Sequence, residues 1–164
     1  MEVALIPTPV GPLTITVENG ALIELDLKGA GTPTVDRDSA GIADRIDAYF
    51  DGEIDAIDSV MVQAAGTPFQ RAVWDALRRI PPGETASYGE IASAIGSPRA
   101  VRAVGSANGA NPTALVVPCH RVIRSDGTIG GYGGGLDRKR WLLVHEARHV
   151  GTRLDPLLSV ANPS

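Results

Sequence analysis

The chain is short of sulfur and of aromatic residues. Cys119 is its one cysteine, and Phe, Trp and Tyr together make up 4% of it. A single thiol cannot close an internal disulfide, which suits a reducing compartment, and it excludes any zinc site built on two or more cysteines. No run of eighteen apolar residues exists, so no membrane-spanning helix is expected. Met1-Glu2-Val3 does not begin a charged stretch followed by an apolar one, so no secretory signal is expected and a cytoplasmic location is. A phosphate loop of the G-K-S/T type and a glycine fingerprint after a βαβ pattern are also missing, and no cofactor is expected.

What is present describes a soluble globule. The 164 residues, 43% hydrophobic and 21% charged, fit one domain or two small ones. The net charge of −4 argues weakly against nucleic acid, but its distribution argues the other way. Residues 1–65 carry 3 basic and 12 acidic side chains, whereas residues 66–150 carry 11 basic and 6 acidic. A basic C-terminal half is suited to phosphates, and an acidic N-terminal half should face away from them.

Three β-rich segments open the chain, Val3–Ile6, Leu13–Val17 and Ala21–Leu27, separated by Pro/Gly and Asn19-Gly20 turns. They predict an antiparallel meander. A helix follows, with Ile42, Ile46 and Tyr49 on one face and Asp44, Asp47 and Asp51 on the other. The acidic stretch 51–66 is expected to be an irregular linker. Thr67-Pro68-Phe69-Gln70 and Ser87-Tyr88-Gly89-Glu90 are capping boxes, each opening a helix. Phe69, Val73, Leu77 and Ile80 are the expected buried stripe of the first. Gly96-Ser97-Pro98 ends the second and caps a third that runs to about Asn108, giving a helix-turn-helix. The third helix mixes Arg99 and Arg102 with alanines and glycines, a surface able to approach another backbone closely. Ala114–Val117 is expected to be a strand. Asp137 is expected to cap a last helix to about His149, and residues 151–164 to be a poorly ordered tail.

The chemistry gathers at Val116-Val117-Pro118-Cys119-His120-Arg121-Val122-Ile123. A lone cysteine is commonly a small buried apolar residue. Here an imidazole follows it directly, and an imidazole can take the proton that leaves a nucleophilic thiolate. In a regular strand the two side chains would diverge, so a bend is needed, and Pro118 favours one. Direct contact or a relay through one water would both serve. Glu90, Asp126 and Glu146 are the carboxylates available to orient the base. Residues 127–135 contain six glycines in nine, which fits either a flexible connector or a pocket wall of bare backbone N–H groups with Tyr132 packed on it. His145-Glu146-Ala147-Arg148-His149 matches H-E-x-x-H, the zinc-protease helix, but a third ligand is lacking. We take His145 and His149 as a solvated helix face and expect no metal.

The residues quoted from 117 to 123 resemble the active-site signature of the O6-alkylguanine-DNA alkyltransferases, also called methylated-DNA–protein-cysteine methyltransferases. The likeness extends through Thr67–Trp74, Ile80–Thr85, Ser87–Ala92, Arg102–Gly105, Ala107–Pro112 and Gly130–Leu136, and more loosely through Thr8–Thr14 and Tyr49-Phe50-x-Gly52. It implies an α+β protein of two domains. Residues 1–65 would form a ribonuclease-H-like antiparallel sheet with a helix and a linker. Residues 66–150 would form a mostly helical, winged helix-turn-helix-type domain carrying the site. It implies irreversible, stoichiometric transfer of an alkyl group from O6 of a flipped-out guanine to Cys119, in the repair of double-stranded DNA bound through the minor groove. O4 of thymine is a second position the resemblance leaves open. A bacterial, nucleoid-associated monomer without membrane contact is implied.

The same resemblance distributes roles. Cys119 would accept the alkyl group, His120 would act through a water as base, and Glu146 would orient His120. Asn111 would brace the turn, and Tyr88 would protonate or hydrogen-bond the departing guanine and touch its phosphate. Arg102 would fill the space left by the extruded base, with Ser97, Arg99, Ala103, Ser106 and Arg124 as further DNA contacts. Asn108, Val122, Ile129, Tyr132, Gly133 and Gly134 would wall the pocket. Gly133 stands where some relatives carry a polar side chain and Arg124 where many carry glycine, so the preferred alkyl size stays open. Some relatives hold zinc in the N-terminal domain through cysteines and histidines; residues 1–65 contain neither. Three rivals remain: a DNA-binding regulator without chemistry, whose function would survive Cys119→Ser; a cysteine hydrolase, which would turn over repeatedly and ignore DNA; and a zinc protease, which metal analysis would reveal.

Overall fold

The computed structural model describes residues 1–150, and the expectation of a disordered tail at 151–164 lies outside the described residues. The described chain has five helices, five strands and two 3-10 turns, an α+β composition, and divides into two compact units.

The first unit comprises Met1–Ala65 together with Pro112–Val116. Strands β1 (Glu2–Ile6), β2 (Leu13–Glu18) and β3 (Ala21–Asp26) form an antiparallel sheet in the order β1-β2-β3. The β2–β3 hairpin turns on Asn19 and Gly20, whose φ values of 52° and 78° are what a two-residue turn of the primed type requires. Ala4, Ile6, Leu13, Ile15, Val17, Leu22 and Leu25 are buried, and helix α1 (Ile42–Phe50) adds Ile42, Ile46 and Tyr49 to the buried set. Asp38 starts α1 by accepting from the N–H groups of Ile42 (2.9 Å) and Ala43 (2.8 Å).

Two segments differ from expectation. Part of the acidic stretch expected to be an irregular linker is packed. It makes a 3-10 turn at Ile54–Ile57, buries Ile54, Ile57 and Val60, and lays Met61–Gln63 beside β3 through Leu22. Its apolar positions are single and widely spaced, which hid them among acids. Ala114–Val117 is buried as a strand there would be, but it is a turn, and Leu115 sits at φ 75°. Four apolar residues in a row signal burial without signalling a period. Pro112 and Thr113 instead meet Leu25, whose N–H donates to the Pro112 carbonyl at 2.8 Å.

The second unit comprises Gly66–Asn111 and the chain from Val117 onward. Both capping boxes form as read. Thr67 caps α2 (Pro68–Leu77) with Gln70 reciprocating, and Ser87 caps α3 (Tyr88–Ala94) with Glu90 reciprocating. Val73, Trp74, Ala76 and Leu77 are the buried face of α2, while Phe69 is only half-buried. The Trp74 indole donates to the Ala107 carbonyl at 2.9 Å and lies so close over Gly66 that a Cβ there would be 2.5 Å from the ring. Helix α4 (Val101–Gly109) begins later than expected. Ser97-Pro98-Arg99-Ala100 forms a turn with the Ala100 N–H donating to the Ser97 carbonyl, and no side chain caps the helix. Short strands β4 (Ala86–Ser87) and β5 (Val122–Ile123) pair in parallel, and α5 (Leu136–Val150) closes the unit.

Loss of the α2 cap should be visible in isolation. Thr67→Ala removes the acceptor for the Gln70 N–H (3.1 Å), and should lower unfolding free energy by about 1 kcal/mol, read as a shift of the urea midpoint at unchanged slope.

Candidate active site

Cys119 is presented by two consecutive tight turns. Pro118, at φ −81° and ψ 67°, occupies the centre of an inverse γ-turn in which the Cys119 N–H donates to the Val117 carbonyl at 2.8 Å. The ring of proline holds φ near this value, so the turn is largely preset by sequence. One 3-10 turn, Cys119–Arg121, follows. Its rotation of about 120° per residue sends the Cys119, His120 and Arg121 side chains in three directions from adjacent positions. Asn111 braces the turn from α4's end by donating Nδ2 to the Val117 carbonyl at 2.8 Å.

The His120 imidazole is held in the interior. His120 has no exposed surface, and its Nε2 lies 2.7 Å from Glu146 Oε2. A carboxylate can only accept, so Nε2 carries the proton and Nδ1 keeps its lone pair. Nδ1 is buried and meets no protein hydrogen-bonding atom. Glu146 is held on its other side by Arg121, whose Nε donates to Oε1 at 2.7 Å and whose second terminal nitrogen donates to Oε2 at 3.0 Å. The remaining guanidinium nitrogen donates to the Ile80 carbonyl at 2.7 Å. Of the three carboxylates available to orient the base, Glu146 is therefore the one that does. Glu90 is occupied in its capping box, and Asp126 is exposed and caps the turn at Thr128.

These contacts set the protonation states. Burial pushes the His120 imidazole down, against the pull of Glu146, so the ring is neutral. Burial would raise the Glu146 carboxyl, but His120 and Arg121 outweigh it and hold the group well below the ordinary carboxylate range. Burial pushes the Cys119 thiol up, while the Asn111 side chain, Lys139, the cysteine's own N–H and Tyr132 draw it back. The residue is 5% exposed. A thiol so placed stays protonated until a base takes its proton, and a neutral imidazole with a free lone pair is the next residue.

The other expected residues differ in exposure. Tyr88, Asn108, Val122, Ile129, Tyr132 and Gly134 are buried or half-buried. The Tyr132 hydroxyl is enclosed beside the sulfur without a hydrogen bond of normal geometry, and burial raises it well above its ordinary value. Tyr88 keeps its proton for the same reason, and its hydroxyl points at Gly130. Gly130 combines φ +73° with only 3.3 Å between that hydroxyl and the place a Cβ would occupy, so a side chain there would strain the backbone and press on the hydroxyl. Gly133 is exposed, with open space where a side chain would go. Arg102, Ala103 and Ser106 form the exposed face of α4, opposite buried Val104, Ala107 and Asn108. Arg99 is exposed and Ser97 half-exposed on the preceding turn, where residues 97–100 line a hollow of about 520 Å³ that is separate from the thiol. Arg124 is exposed on the turn after β5.

His145 departs from expectation. It is 7% exposed and stacks on Trp141 with ring centroids 4.7 Å apart, so only His149 lies on the solvated face. His149 Nδ1 donates to the His145 carbonyl at 2.8 Å, and Glu146 turns to His120 and Arg121. Two buried residues were missed by sequence reasoning, Arg121 and Lys139. Lys139 has no exposed surface, and its Nζ donates to the carbonyls of Val122 (2.7 Å) and Gly131 (3.1 Å). A signal existed. Lys139 stands at helical spacing before buried Leu142, Leu143 and Glu146, on the stripe rather than opposite it.

A cysteine held at a turn beside a buried histidine–carboxylate pair defines a thiol-transfer or thiol-hydrolysis site, here in a unit with two capped helices and an exposed arginine face. Comparison with known proteins narrows the class. Residues 68–148 match the family model "6-O-methylguanine DNA methyltransferase, DNA binding domain". The chain is 47% identical to the methylated-DNA–protein-cysteine methyltransferase of Mycolicibacterium paratuberculosis, over 91% of this chain and 94% of that protein. It is 55% identical to the Salmonella typhimurium protein of the same name, over 65% of this chain and 62% of that protein, less than two thirds of the relative's length. The solved structure of Mycobacterium tuberculosis OGT in complex with DNA is similar with a TM-score of 0.80 and 44% identity, covering 91% of this chain and 94% of that one. The chain belongs to the methylated-DNA–protein-cysteine methyltransferase family.

The buried pair predicts acid sensitivity. The depressed Glu146 carboxyl stabilises the fold above the ordinary carboxyl value of about 4.3, and this stability is lost as pH falls below it. Neutral His120 acts with the same sign, because the unfolded chain takes up a proton below about pH 6.5 before the folded one does. Urea midpoints should therefore fall steadily from pH 7 to pH 4. Glu146→Gln should cost about 3 kcal/mol at neutral pH, by leaving Arg121 buried without a counter-charge, and should flatten the most acidic part of the profile.

Proposed function

We propose that this chain repairs alkylated DNA by moving the alkyl group from O6 of a guanine to the Cys119 sulfur, once per molecule. The observation that carries the reading is His120. Its Nε2–H is committed to Glu146, and its buried Nδ1 lone pair has no protein hydrogen-bond partner, in the residue that follows the protonated Cys119 thiol. In the reaction the thiol proton passes to Nδ1 through a water. The sulfur pair forms the S–C bond as the C–O6 bond breaks, and the electrons of that bond return to guanine. Tyr88, which keeps its phenolic proton, protonates or hydrogen-bonds the departing base. A thioether is a poor leaving group, so nothing restores the thiol, and the reaction is stoichiometric.

A guanine stacked in a duplex cannot present O6 to a cysteine only 5% exposed, so the base is rotated out at a cost of a few kcal/mol. Alkylation weakens its pairing and lowers that cost. The α4 face supports the rest of the reading. Arg102 enters the duplex where the base was, Ala103 and Ser106 permit close approach through the minor groove, and Ser97, Arg99 and Arg124 meet phosphates. Asn108, Val122, Ile129, Tyr132, Gly133 and Gly134 enclose the extruded guanine, with the Cys119 and Val122 carbonyls accepting its exocyclic amine. Asn111 keeps the thiol turn in place. In the same reading residues 66–150 are a winged helix-turn-helix-type domain, with β4 beside α3 and paired to β5, and the first unit is ribonuclease-H-like. The protein acts as a monomer on nucleoid DNA in the cytoplasm, and O4 of thymine is a secondary substrate atom.

Equimolar protein and O6-methylguanine duplex should yield one methyl per protein, on the peptide that contains Cys119, as read by mass spectrometry of the digest. Multiple turnovers, or a methyl on another residue, would overturn the reading. Arg102→Ala should slow repair of the duplex by about tenfold or more while leaving attack on the free O6-alkylguanine base within about twofold. Equal losses on both substrates would remove Arg102 from this role.

A further inference from the structure

Six glycines in residues 127–135 leave this part of the site little order of its own. A glycine gives up more backbone freedom on folding than any other residue. The order is supplied by bonds across the segment and from α5. A tight turn is closed by the Gly135 N–H, which donates to the Tyr132 carbonyl at 3.0 Å. Gly133 and Gly134 are its two central residues. Their N–H groups donate to no backbone acceptor among the described residues. Gly135, at φ 96°, then leads the chain into α5. Two consecutive side chains of that helix hold the segment. Lys139 Nζ reaches the Gly131 carbonyl, just before the turn, at 3.1 Å. Arg138 donates Nη1 to the Gly134 carbonyl, within the turn, at 2.8 Å. The second contact is charge-assisted and half-buried, so water competes with it less than at an open surface.

We propose that Arg138 is a positioning residue for the alkyl transfer. Its hydrogen bond to the Gly134 carbonyl fixes the Tyr132–Gly135 turn so that the Gly133 and Gly134 N–H groups meet O6 of the extruded guanine. The proposal rests on the transfer reading above. As the C–O6 bond breaks, its electron pair stays with guanine and negative charge gathers on O6. Donors already aimed at that atom stabilise the charge without reorganising; donors that must first be ordered do not. Nothing else packs the turn in place at Gly133, which is exposed with open space where a side chain would go. Released from its anchor, a turn of two glycines points its N–H groups in many directions. Arg138 moves no proton and makes no bond to the substrate; it acts through the turn.

The test compares three reactions in Arg138→Met. Transfer from the O6-methylguanine duplex and from the free O6-alkylguanine base should each fall about tenfold, because both need the turn. With the free base, the loss should lie in the limiting rate at saturation and not in the half-saturating concentration. Alkylation of Cys119 by iodoacetamide forms S–C, releases iodide and makes no use of the turn. Its rate should stay within about twofold of native, since it follows the state of the thiol alone. Arg138→Lys keeps a charged donor for the Gly134 carbonyl and should restore transfer to within about threefold of native. Three results in folded Arg138→Met would each overturn the proposal: native transfer rates, an equal loss with iodoacetamide, or a loss confined to the half-saturating concentration. Should that variant not fold, 15N NMR of the Arg138 guanidinium in the native protein decides the matter. Slow rotation about the Cζ–Nη1 bond supports the anchor, and free rotation overturns it. A native protein that takes no methyl from either substrate would instead remove the transfer reading.

Discussion

The Glu146 carboxylate, shared between His120 and Arg121 in the interior of the second unit, is the contact on which the site depends. Two hydrogen bonds from Arg121 and one from His120 occupy it, and the guanidinium cancels its charge. Without Arg121 the carboxylate would draw a proton onto His120, and a protonated imidazole cannot serve as a base. Without Glu146 the imidazole would lose its fixed tautomer, and the lone pair would no longer be assigned to Nδ1. The arrangement is neutral overall and still leaves one ring nitrogen without a protein hydrogen-bond partner, in the residue after the thiol. A buried ion pair of this kind is a costly way to gain stability, because desolvation consumes most of the attraction. Its effect is to keep the His120 imidazole neutral and in one tautomer.

Backbone chemistry complements these charges. Pro118 presets an inverse γ-turn, Asn111 ties that turn to the end of α4, and Gly130 lets the chain pass under the Tyr88 hydroxyl. Each is a local constraint on the path of the backbone near the site. The α4 face follows the opposite logic. Its exposed residues are Val101, Arg102, Ala103, Ser106 and Gly109, and the buried Val104 and Ala107 on the other side anchor the helix.

Much of this was legible in the sequence because the signals were short-range. Both capping boxes, the Asn19-Gly20 hairpin and the amphipathic face of α1 depend on residues a few positions apart, and each formed where read. The Cys119-His120 pair with its proline was equally local. Glu146 was one of three candidate carboxylates, and only the fold could choose between them, because the distance across 26 residues is set by packing. Arg121 and Lys139 were overlooked since charged residues are ordinarily solvated, and their burial depends on acceptors supplied by Ile80, Val122, Gly131 and Glu146. His145 was read as solvated for the same reason. The strand expected at 114–117 failed because an apolar run records burial and not conformation.

The route of the chain through Pro112–Val116 has a consequence for biosynthesis. These five residues belong to the first unit, where Leu25 binds the Pro112 carbonyl, although 46 residues of the second unit precede them. A nascent chain leaving the ribosome therefore cannot finish the amino-terminal unit when its own contiguous stretch has emerged. The sheet must wait, incomplete along β3, until the arginine-bearing helix has been synthesised, and the nucleophile is translated immediately after the residues that complete that sheet. Closure of the first unit and delivery of the reactive sulfur are thus nearly simultaneous events in translation.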